Sequence, residues 1–194
     1  REAAEAYGYP TIRMFMLMSH YRTPLNYSGE ILMQAKNGLE RLKTARENMV
    51  FMTENGADGD LLPAESEFVN SLPDYRERYD RAMDDDFNTA DAISVIFELV
   101  REANSVLAQP NATKAAAKAS LAMFDELENV LGLIYGDDAG EDDDLAKEVE
   151  SLIEARQQAR KEKNWPEADR IRDKLKDMGI VLMDTPQGVK WKKA

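Results

Sequence analysis

Residues 159–175 read ARKEKNWPEADRIRDKL, and residues 179–191 read GIVLMDTPQGVKW. The first segment predicts the end of one charged helix, a turn, and the start of a second helix. Asn164 and Glu167 have the N-cap and N3 spacing of a capping box, and Pro166 suits a first helical turn. The second segment surrounds a Pro-Gln-Gly turn with apolar residues and predicts a β-hairpin. Because a lone hairpin is only marginally stable, we expect it to pack on the two helices.

Long helices are predicted before this segment. Ser28 is a candidate N-cap for a helix that runs to about Asn55. Its apolar residues recur at the three- and four-residue spacing of one helix face: Ala35, Leu39, Leu42, Ala45, Met49 and Met52. Further helices are predicted over 63–83 with an interruption or kink near Pro73, from the cap Asn88 to Leu107, over 112–135, and over 145–161. Short loops join the helices that precede residue 136, which is typical of an antiparallel helical bundle.

An additional short helix is predicted from Pro10 to His20. This stretch is nearly all apolar, so we expect the helix to be buried on most of its sides. Its Met and aromatic residues are interpreted as core packing: Met14, Phe15, Met16 and Met18. Residues 137–144 combine glycines with a run of acids, which indicates a linker and a domain boundary. The predicted fold is therefore mainly α, with an antiparallel helical bundle followed by a small α+β domain of two helices and a β-hairpin.

Composition excludes several classes of function. The chain has 194 residues, no Cys and one His, so disulfides, thiolate metal sites and imidazole-rich metal clusters are excluded. No apolar run reaches the roughly 20 residues that span a bilayer, and no signal peptide is visible. We expect a cytoplasmic protein that does not enter membranes. Because the first residue is Arg1 and not Met, we expect a fragment or a processed product of a longer chain.

The net charge of −12 is spread unevenly. Residues 151–194 contain 11 Lys or Arg and 7 Asp or Glu, a balance of +4, whereas residues 1–150 contain 14 and 30, a balance of −16. A uniformly acidic surface would repel a phosphate backbone, but this chain could attract one at its carboxy-terminal end. The alternative interpretation is that the acids form a solvated surface and the basic end carries ordinary helix charges.

Arg160, Trp165 and Asp169 form the candidate binding site of that end. Trp165 and Asp169 are four residues apart and project from one helix face, while Arg160 precedes the turn. Unpaired RNA bases are read by stacking on aromatic rings and by hydrogen bonds to their edges, which Arg and Asp can supply. The alternative is that Trp165 packs at a helix start and that the charges are surface pairs.

A second candidate lies in the segment 22–28. Arg22 and Asn26 offer donors on an extended backbone just before a helix N-terminus, the arrangement that holds phosphates in register. The acidic runs Asp84–Asp86 and Glu141–Asp144 lack the glycine and closing Glu of a calcium loop, so we interpret them as solvated segments. His20 has no acidic neighbour in sequence, and we expect it to be structural or to contact phosphate.

Four strings together indicate a family. They are MSHYRTPLNYS at 18–28, MDDDFNT at 83–89, NWPEAD at 164–169 with RDKL at 172–175, and DTPQGVKW at 184–191. In this order and spacing the chain resembles the carboxy-terminal half of cysteinyl-tRNA synthetase, a class I aminoacyl-tRNA synthetase. The resemblance implies that 1–27 end a stem-contact region, 28–136 form a helical-bundle anticodon-binding domain, 137–144 are an acidic linker, and 145–194 form a small anticodon-recognition domain.

The resemblance also implies which residues bind RNA. The base-reading positions of the family match Arg160, Trp165 and Asp169, and Arg22 and Asn26 are carried over as backbone contacts. The ATP-binding signature, the Lys-Met-Ser-Lys-Ser loop and the cysteine-bound zinc of the family have no counterpart here. We therefore expect no catalytic residue, no metal and no cofactor in this chain, with ATP and zinc confined to the family's amino-terminal catalytic domain.

The leading hypothesis is the tRNA-binding portion of a cysteine–tRNA ligase, a monomer whose partner is the cysteine tRNA. A different class of function is a helical protein-interaction module without RNA binding, supported by the acidic bundle and the Met content. A third hypothesis is a small metal-dependent enzyme that uses the aspartate runs.

Overall fold

The computed structural model describes residues 2–134, 143–185 and 188–193. The described residues form eight α-helices and one two-stranded hairpin, and the chain divides into two compact units, residues 1–137 and 138–194. The helices are α1 (Glu2–Tyr7), α2 (Tyr9–Leu17), α3 (Gly29–Asn55), α4 (Pro63–Asp84), α5 (Thr89–Leu107), α6 (Lys114–Leu131), α7 (Asp143–Lys161) and α8 (Trp165–Asp177), and the strands are β1 (Ile180–Thr185) and β2 (Gly188–Lys193). This confirms the predicted fold class.

The helices of the first unit form where their caps and apolar faces predict them. The Ser28 hydroxyl accepts from the Ile31 N–H at 3.3 Å and begins α3. All six apolar residues predicted for the inner face of α3 are buried in one core with residues of α2, α4, α5 and α6. The Asn88 side chain accepts from the Asp91 N–H and begins α5, also as predicted. Pro73 lies inside α4, which runs without interruption.

The helix α6 is shorter than the predicted span of 112–135. It begins after Thr113, whose hydroxyl accepts from the Ala116 N–H at 3.2 Å. It ends at Gly132, whose φ of 57° places it in the left-handed region and whose N–H donates to the Glu128 carbonyl. A glycine with this geometry is a common helix terminator because other residues are strained there. Position 135 lies outside the described residues.

The predicted burial of the short apolar helix is wrong in part. The helix spans Tyr9–Leu17 and contacts α1, α3 and α5, so most of its sides are covered, and its exposed residues form a single stripe: Tyr9, Arg13 and Met16. Met14 and Phe15 enter the core, but Met16 and Met18 are 52% and 38% exposed. An all-apolar stretch has no periodicity that would show which helix face is inside. The buried face is set by the helices that pack against it.

The second unit is built on α7 and α8. α7 begins at Asp143, two residues before the predicted start, and the predicted linker over 137–144 otherwise lies outside the described residues. Val149 and Ile153 of α7 are buried against residues of α8 and β1. β1 and β2 pair antiparallel, with Leu182 opposite Trp191, and both of these side chains are partly buried against the same core. The hairpin therefore packs with the helices, as expected.

No helix in the described ranges combines the length and apolarity that crossing a bilayer would require.

A buried carboxylate joins the starts of α4 and α6. Glu65 is 1% exposed, and its carboxylate accepts from the Leu62 N–H at 2.8 Å, the Thr113 N–H at 2.7 Å and the Thr113 hydroxyl at 2.9 Å. Next to it, Ala57 and Thr113 form a parallel bridge. A Cβ on Gly56 would lie 2.9 Å from the Lys114 nitrogen and 3.1 Å from the Ala112 carbonyl oxygen, so the close approach of these loops requires glycine there.

Replacing Glu65 with Ala should destabilise the first unit by about 3 kcal/mol, because three hydrogen bonds to a charged acceptor are lost and buried donors are left unpaired. The exposed Glu67 on the same helix provides a matched control, and its replacement by Ala should change the free energy of unfolding by less than about 0.5 kcal/mol. Urea unfolding followed by circular dichroism measures both values. Equal stability of the two variants would contradict the role assigned to Glu65.

Candidate nucleic-acid interface

The turn between α7 and α8 has a defined backbone geometry. The Asn164 N–H donates to the Ala159 carbonyl at 2.8 Å, and the Lys163 N–H donates to the Arg160 carbonyl at 3.1 Å. Together with a φ of 59° at Lys163, these two bonds form a Schellman motif, in which the residue after the helix adopts the left-handed conformation. The turn therefore ends α7 after Lys161 and places Arg160 and Trp165 on either side of one tight reversal.

The start of α8 matches the predicted capping box only in part. The Asn164 side chain accepts from the Glu167 N–H at 3.4 Å, which is the expected N-cap bond. The reciprocal bond of a capping box, from the Asn164 N–H to the Glu167 carboxylate, is replaced by two other interactions. The Asn164 N–H donates to the Ala159 carbonyl in the turn, and the Glu167 carboxylate accepts from Arg170 at 2.8 and 2.7 Å. The hydrogen bond from Arg170 also lowers the pKa of Glu167.

The packing of α8 determines which of its side chains face the solvent. Ala168, Ile171 and Leu175 are buried and form a single stripe of the helix. Trp165 and Asp169 lie outside that stripe, and the indole of Trp165 is 57% exposed. In the described part of the chain no aromatic ring or guanidinium packs on this indole. The ring is therefore open on the surface of the second unit.

The charged members of the predicted base-reading set are also at the surface. Arg160 is exposed at the end of α7. Asp169 is exposed one turn after Trp165, and its carboxylate lies 3.1 Å from the Arg172 guanidinium. This is an i,i+3 pair between side chains that are more than half exposed, so solvent screening keeps it weak and an incoming donor could compete for the carboxylate. Arg160 thus lies in the last turn of α7, and Trp165 and Asp169 lie one helical turn apart at the start of α8.

Arg22 and Asn26 lie on the first unit, away from this turn in sequence. Asn26 is exposed. The Arg22 guanidinium lies 3.0 Å from the Asp86 carboxylate and 5.3 Å from the centre of the Tyr21 ring. Since Arg22 is also largely exposed, it can still reach a ligand, but a neighbouring carboxylate offsets part of its charge.

Asp86 gathers a cluster of side chains that the sequence did not predict. Its carboxylate accepts from the Tyr21 hydroxyl at 2.9 Å and lies 3.8 Å from the His20 imidazole. The hydrogen bond to Asp86 raises the pKa of Tyr21. His20 therefore has an acidic neighbour in space, although it has none in sequence. Asp84–Asp86 are exposed at the turn before α5, as interpreted from the sequence, and Asp86 in addition makes these contacts.

The contacts of Asp86 with Tyr21 and His20 depend on the backbone of the turn that carries Asp86. Asp86 and Phe87 both have a φ of 55°, and the Thr89 hydroxyl donates to the Leu17 carbonyl at 2.8 Å. The turn before α5 is thereby held against the end of α2. Contacts between residues more than sixty positions apart leave no periodic signal in the sequence. The sequence shows only that Tyr21 and Asp86 both lie within the family strings, at 18–28 and 83–89.

No group of three or more His, Cys, Asp or Glu side chains in the described ranges is placed to hold a metal ion. The acidic run Glu141–Asp144 lies outside the residues whose side chains are described.

Two family models match the chain. One, described as a DALR domain, matches residues 78–135, and the other, described as a cysteinyl-tRNA ligase anticodon binding domain, matches residues 142–191. The two matches support a carboxy-terminal fragment of a cysteinyl-tRNA synthetase. Its 194 residues correspond to the carboxy-terminal part of a cysteinyl-tRNA ligase, and the matched domains support a tRNA-binding role in translation. The exposed Trp165 lies within the segment that matches the anticodon binding domain of cysteinyl-tRNA ligases.

The burial pattern of α8 predicts a large effect on stability for one apolar residue and a small effect for another. Replacing Leu175 with Ala should destabilise the second unit by about 2–5 kcal/mol, because it leaves a cavity in a small core. Replacing Trp165 with Ala should change the free energy of unfolding by no more than about 0.5 kcal/mol, since the ring is largely exposed. Chemical unfolding of both variants measures the difference. A cost for Trp165 that approaches the cost for Leu175 would show that the indole is part of the core.

Proposed function

We propose that this chain binds the cysteine tRNA and reads its anticodon through Arg160, Trp165 and Asp169. The observation that carries the proposal is the open indole of Trp165, which is 57% exposed within the segment that matches the anticodon binding domain. Trp is enriched at binding surfaces, because its ring combines a large apolar face with a polar N–H.

The three side chains supply complementary interactions. The indole offers a face on which an unstacked base can lie, worth about 1–3 kcal/mol per base. Asp169 accepts from the amino and imino groups of a base, and Arg160 donates to carbonyl oxygens and ring nitrogens. Because the turn fixes the backbone between Arg160 and Trp165, both groups are presented from a preorganised surface.

Arg22 and Asn26 are proposed to contact the sugar–phosphate backbone of the stem. Both are exposed on the first unit. The contact between Arg22 and Asp86 holds the guanidinium in place but also offsets part of its attraction for phosphate. These residues would therefore contribute to positioning the tRNA and would carry no sequence information.

The chain is further proposed to act as a monomer in the cytoplasm and to have no catalytic residue of its own. No site for ATP or zinc is proposed among these residues. Zinc sites in proteins rely on Cys and His, and the chain has no Cys and one His.

One structural observation favours the protein-interaction alternative. Tyr9, Tyr27 and Phe87 of the first unit are each more than 60% exposed, and exposed aromatic side chains are enriched where proteins associate. Binding of a protein partner by a chain that retains no tRNA at low salt would support this alternative over the proposal.

Electrophoretic mobility shift with a cysteine tRNA transcript tests the role of Trp165. Its replacement by Ala should weaken binding by about 1–3 kcal/mol, roughly 5- to 150-fold, because one stacking platform is lost. Tyr9 is 70% exposed on the first unit, and its replacement by Ala serves as the aromatic control with little expected effect. A Trp165→Ala chain that binds as tightly as the parent would refute the assignment.

The same assay with an anticodon-altered transcript tests Asp169. Asp169→Ala should bring the affinities for the two transcripts closer together, because the group that discriminates between bases is removed. Asp173, which lies 3.7 Å from the same Arg172, is the matched control, and Asp173→Ala should keep the parent's discrimination. Equal losses for both RNAs in the Asp169 variant would argue against base reading by this carboxylate.

A further inference from the structure

Most cations of α8 are compensated by a neighbouring carboxylate. Arg170 lies 2.7 Å from Glu167, and Arg172 lies 3.1 Å from Asp169. Lys174 lies 3.0 Å from Glu148 of α7. Ion pairs of this kind reduce the field that a side chain offers to an external phosphate, because the positive and negative charges are only a few ångströms apart.

Lys161 and Lys163 differ from those cations. Both are exposed, and neither has an ion-pair partner in the described part of the chain. Glu162, which lies between them in sequence, accepts from the Gln158 side chain at 2.6 Å. Two uncompensated ammonium groups are therefore placed on the turn that precedes the open indole of Trp165.

The conformation of Lys163 is a second and independent observation. Its φ of 59° occupies the left-handed position of the Schellman motif, where glycine is the usual residue and a side chain is strained. A side chain kept at a strained position that glycine would occupy without strain points to a role in function. In the described structure the ammonium group of Lys163 forms no ion pair that would compensate for this strain.

We propose that Lys161 and Lys163 bind the phosphates that flank the base stacked on Trp165. The ligand of this site is the sugar–phosphate backbone of a single-stranded RNA loop. The inference rests on the proposed function, because it assumes that RNA binds at this turn. It adds a sequence-independent component of affinity to the base reading assigned to Arg160, Trp165 and Asp169.

The test measures the salt dependence of binding between the full chain and the cysteine tRNA transcript. Each contact to a single-stranded phosphate contributes about 0.7 to the slope of log K against log salt concentration. The double variant Lys161→Gln/Lys163→Gln should therefore lower the magnitude of the slope by about 1.4. If the two chains bind equally at 1 M salt, the double variant should therefore bind roughly 25-fold more weakly than the parent at 0.1 M salt.

Lys174→Gln is the matched control, because it removes a cation that is already paired with Glu148. Its slope should stay close to that of the parent. The losses in the double variant should be equal for the cognate transcript and an anticodon-altered transcript, since phosphates carry no sequence information. A double variant whose slope equals that of the Lys174→Gln chain would overturn the inference.

Lys163→Gly provides a second test that separates function from structure. Glycine relieves the strain at positive φ, so the melting temperature of this variant should rise by a few degrees. Its affinity for the tRNA at 0.1 M salt should nevertheless fall by about fivefold, because the loss of one phosphate contact lowers the slope by about 0.7. A more stable variant with unchanged affinity would show that Lys163 serves only as a helix terminator and would overturn its assigned role.

The outcomes also distinguish the inference from the proposed function. If the parent chain binds no tRNA at low salt, the proposed function fails and the inference fails with it. If the parent binds and Trp165→Ala weakens binding while the lysine variants keep the slope of the parent, only the inference fails.

Discussion

The structure of the second unit depends on the packing of α8 against α7. The buried stripe of α8 consists of the small and aliphatic side chains of Ala168, Ile171 and Leu175, whereas Trp165 is 57% exposed. Trp165, the first residue of α8, and Asp169, one turn later, are both exposed. The tight turn at Lys163 fixes where α8 begins, so the position of the ring follows from the backbone and not from side-chain contacts of its own.

Much of this arrangement could be predicted from local sequence patterns. Side chains that cap a helix act over three residues, so Ser28, Asn88 and Asn164 mark helix starts that the structure confirms. Apolar spacing likewise identified the buried face of α3, because a long amphipathic helix has one inner side. The candidate ring Trp165 could be recognised because it lies with Arg160 and Asp169 around a turn, but the sequence left open whether the ring packs at the helix start or faces the solvent.

Features that depend on contacts between distant residues could not be predicted. The carboxylate of Asp86 meets Tyr21 across 65 positions, and that of Glu65 meets Thr113 across 48, with no periodicity that links them. The left-handed conformation of Lys163 was missed because glycine or asparagine normally signals it. The exposure of Met16 was missed because an all-apolar helix gives no indication of which face its neighbours cover.

Fluorescence tests most directly the proposal that an unpaired base lies on the indole of Trp165. The chain has two Trp residues, so a Trp191→Phe variant leaves Trp165 as its only tryptophan fluorophore. Titration with an RNA hairpin that carries the cysteine anticodon loop should quench this fluorescence in proportion to binding, and the quenching should saturate when one RNA is bound per chain. Binding of the hairpin, confirmed by mobility shift, without a change in the emission of Trp165 would contradict the account.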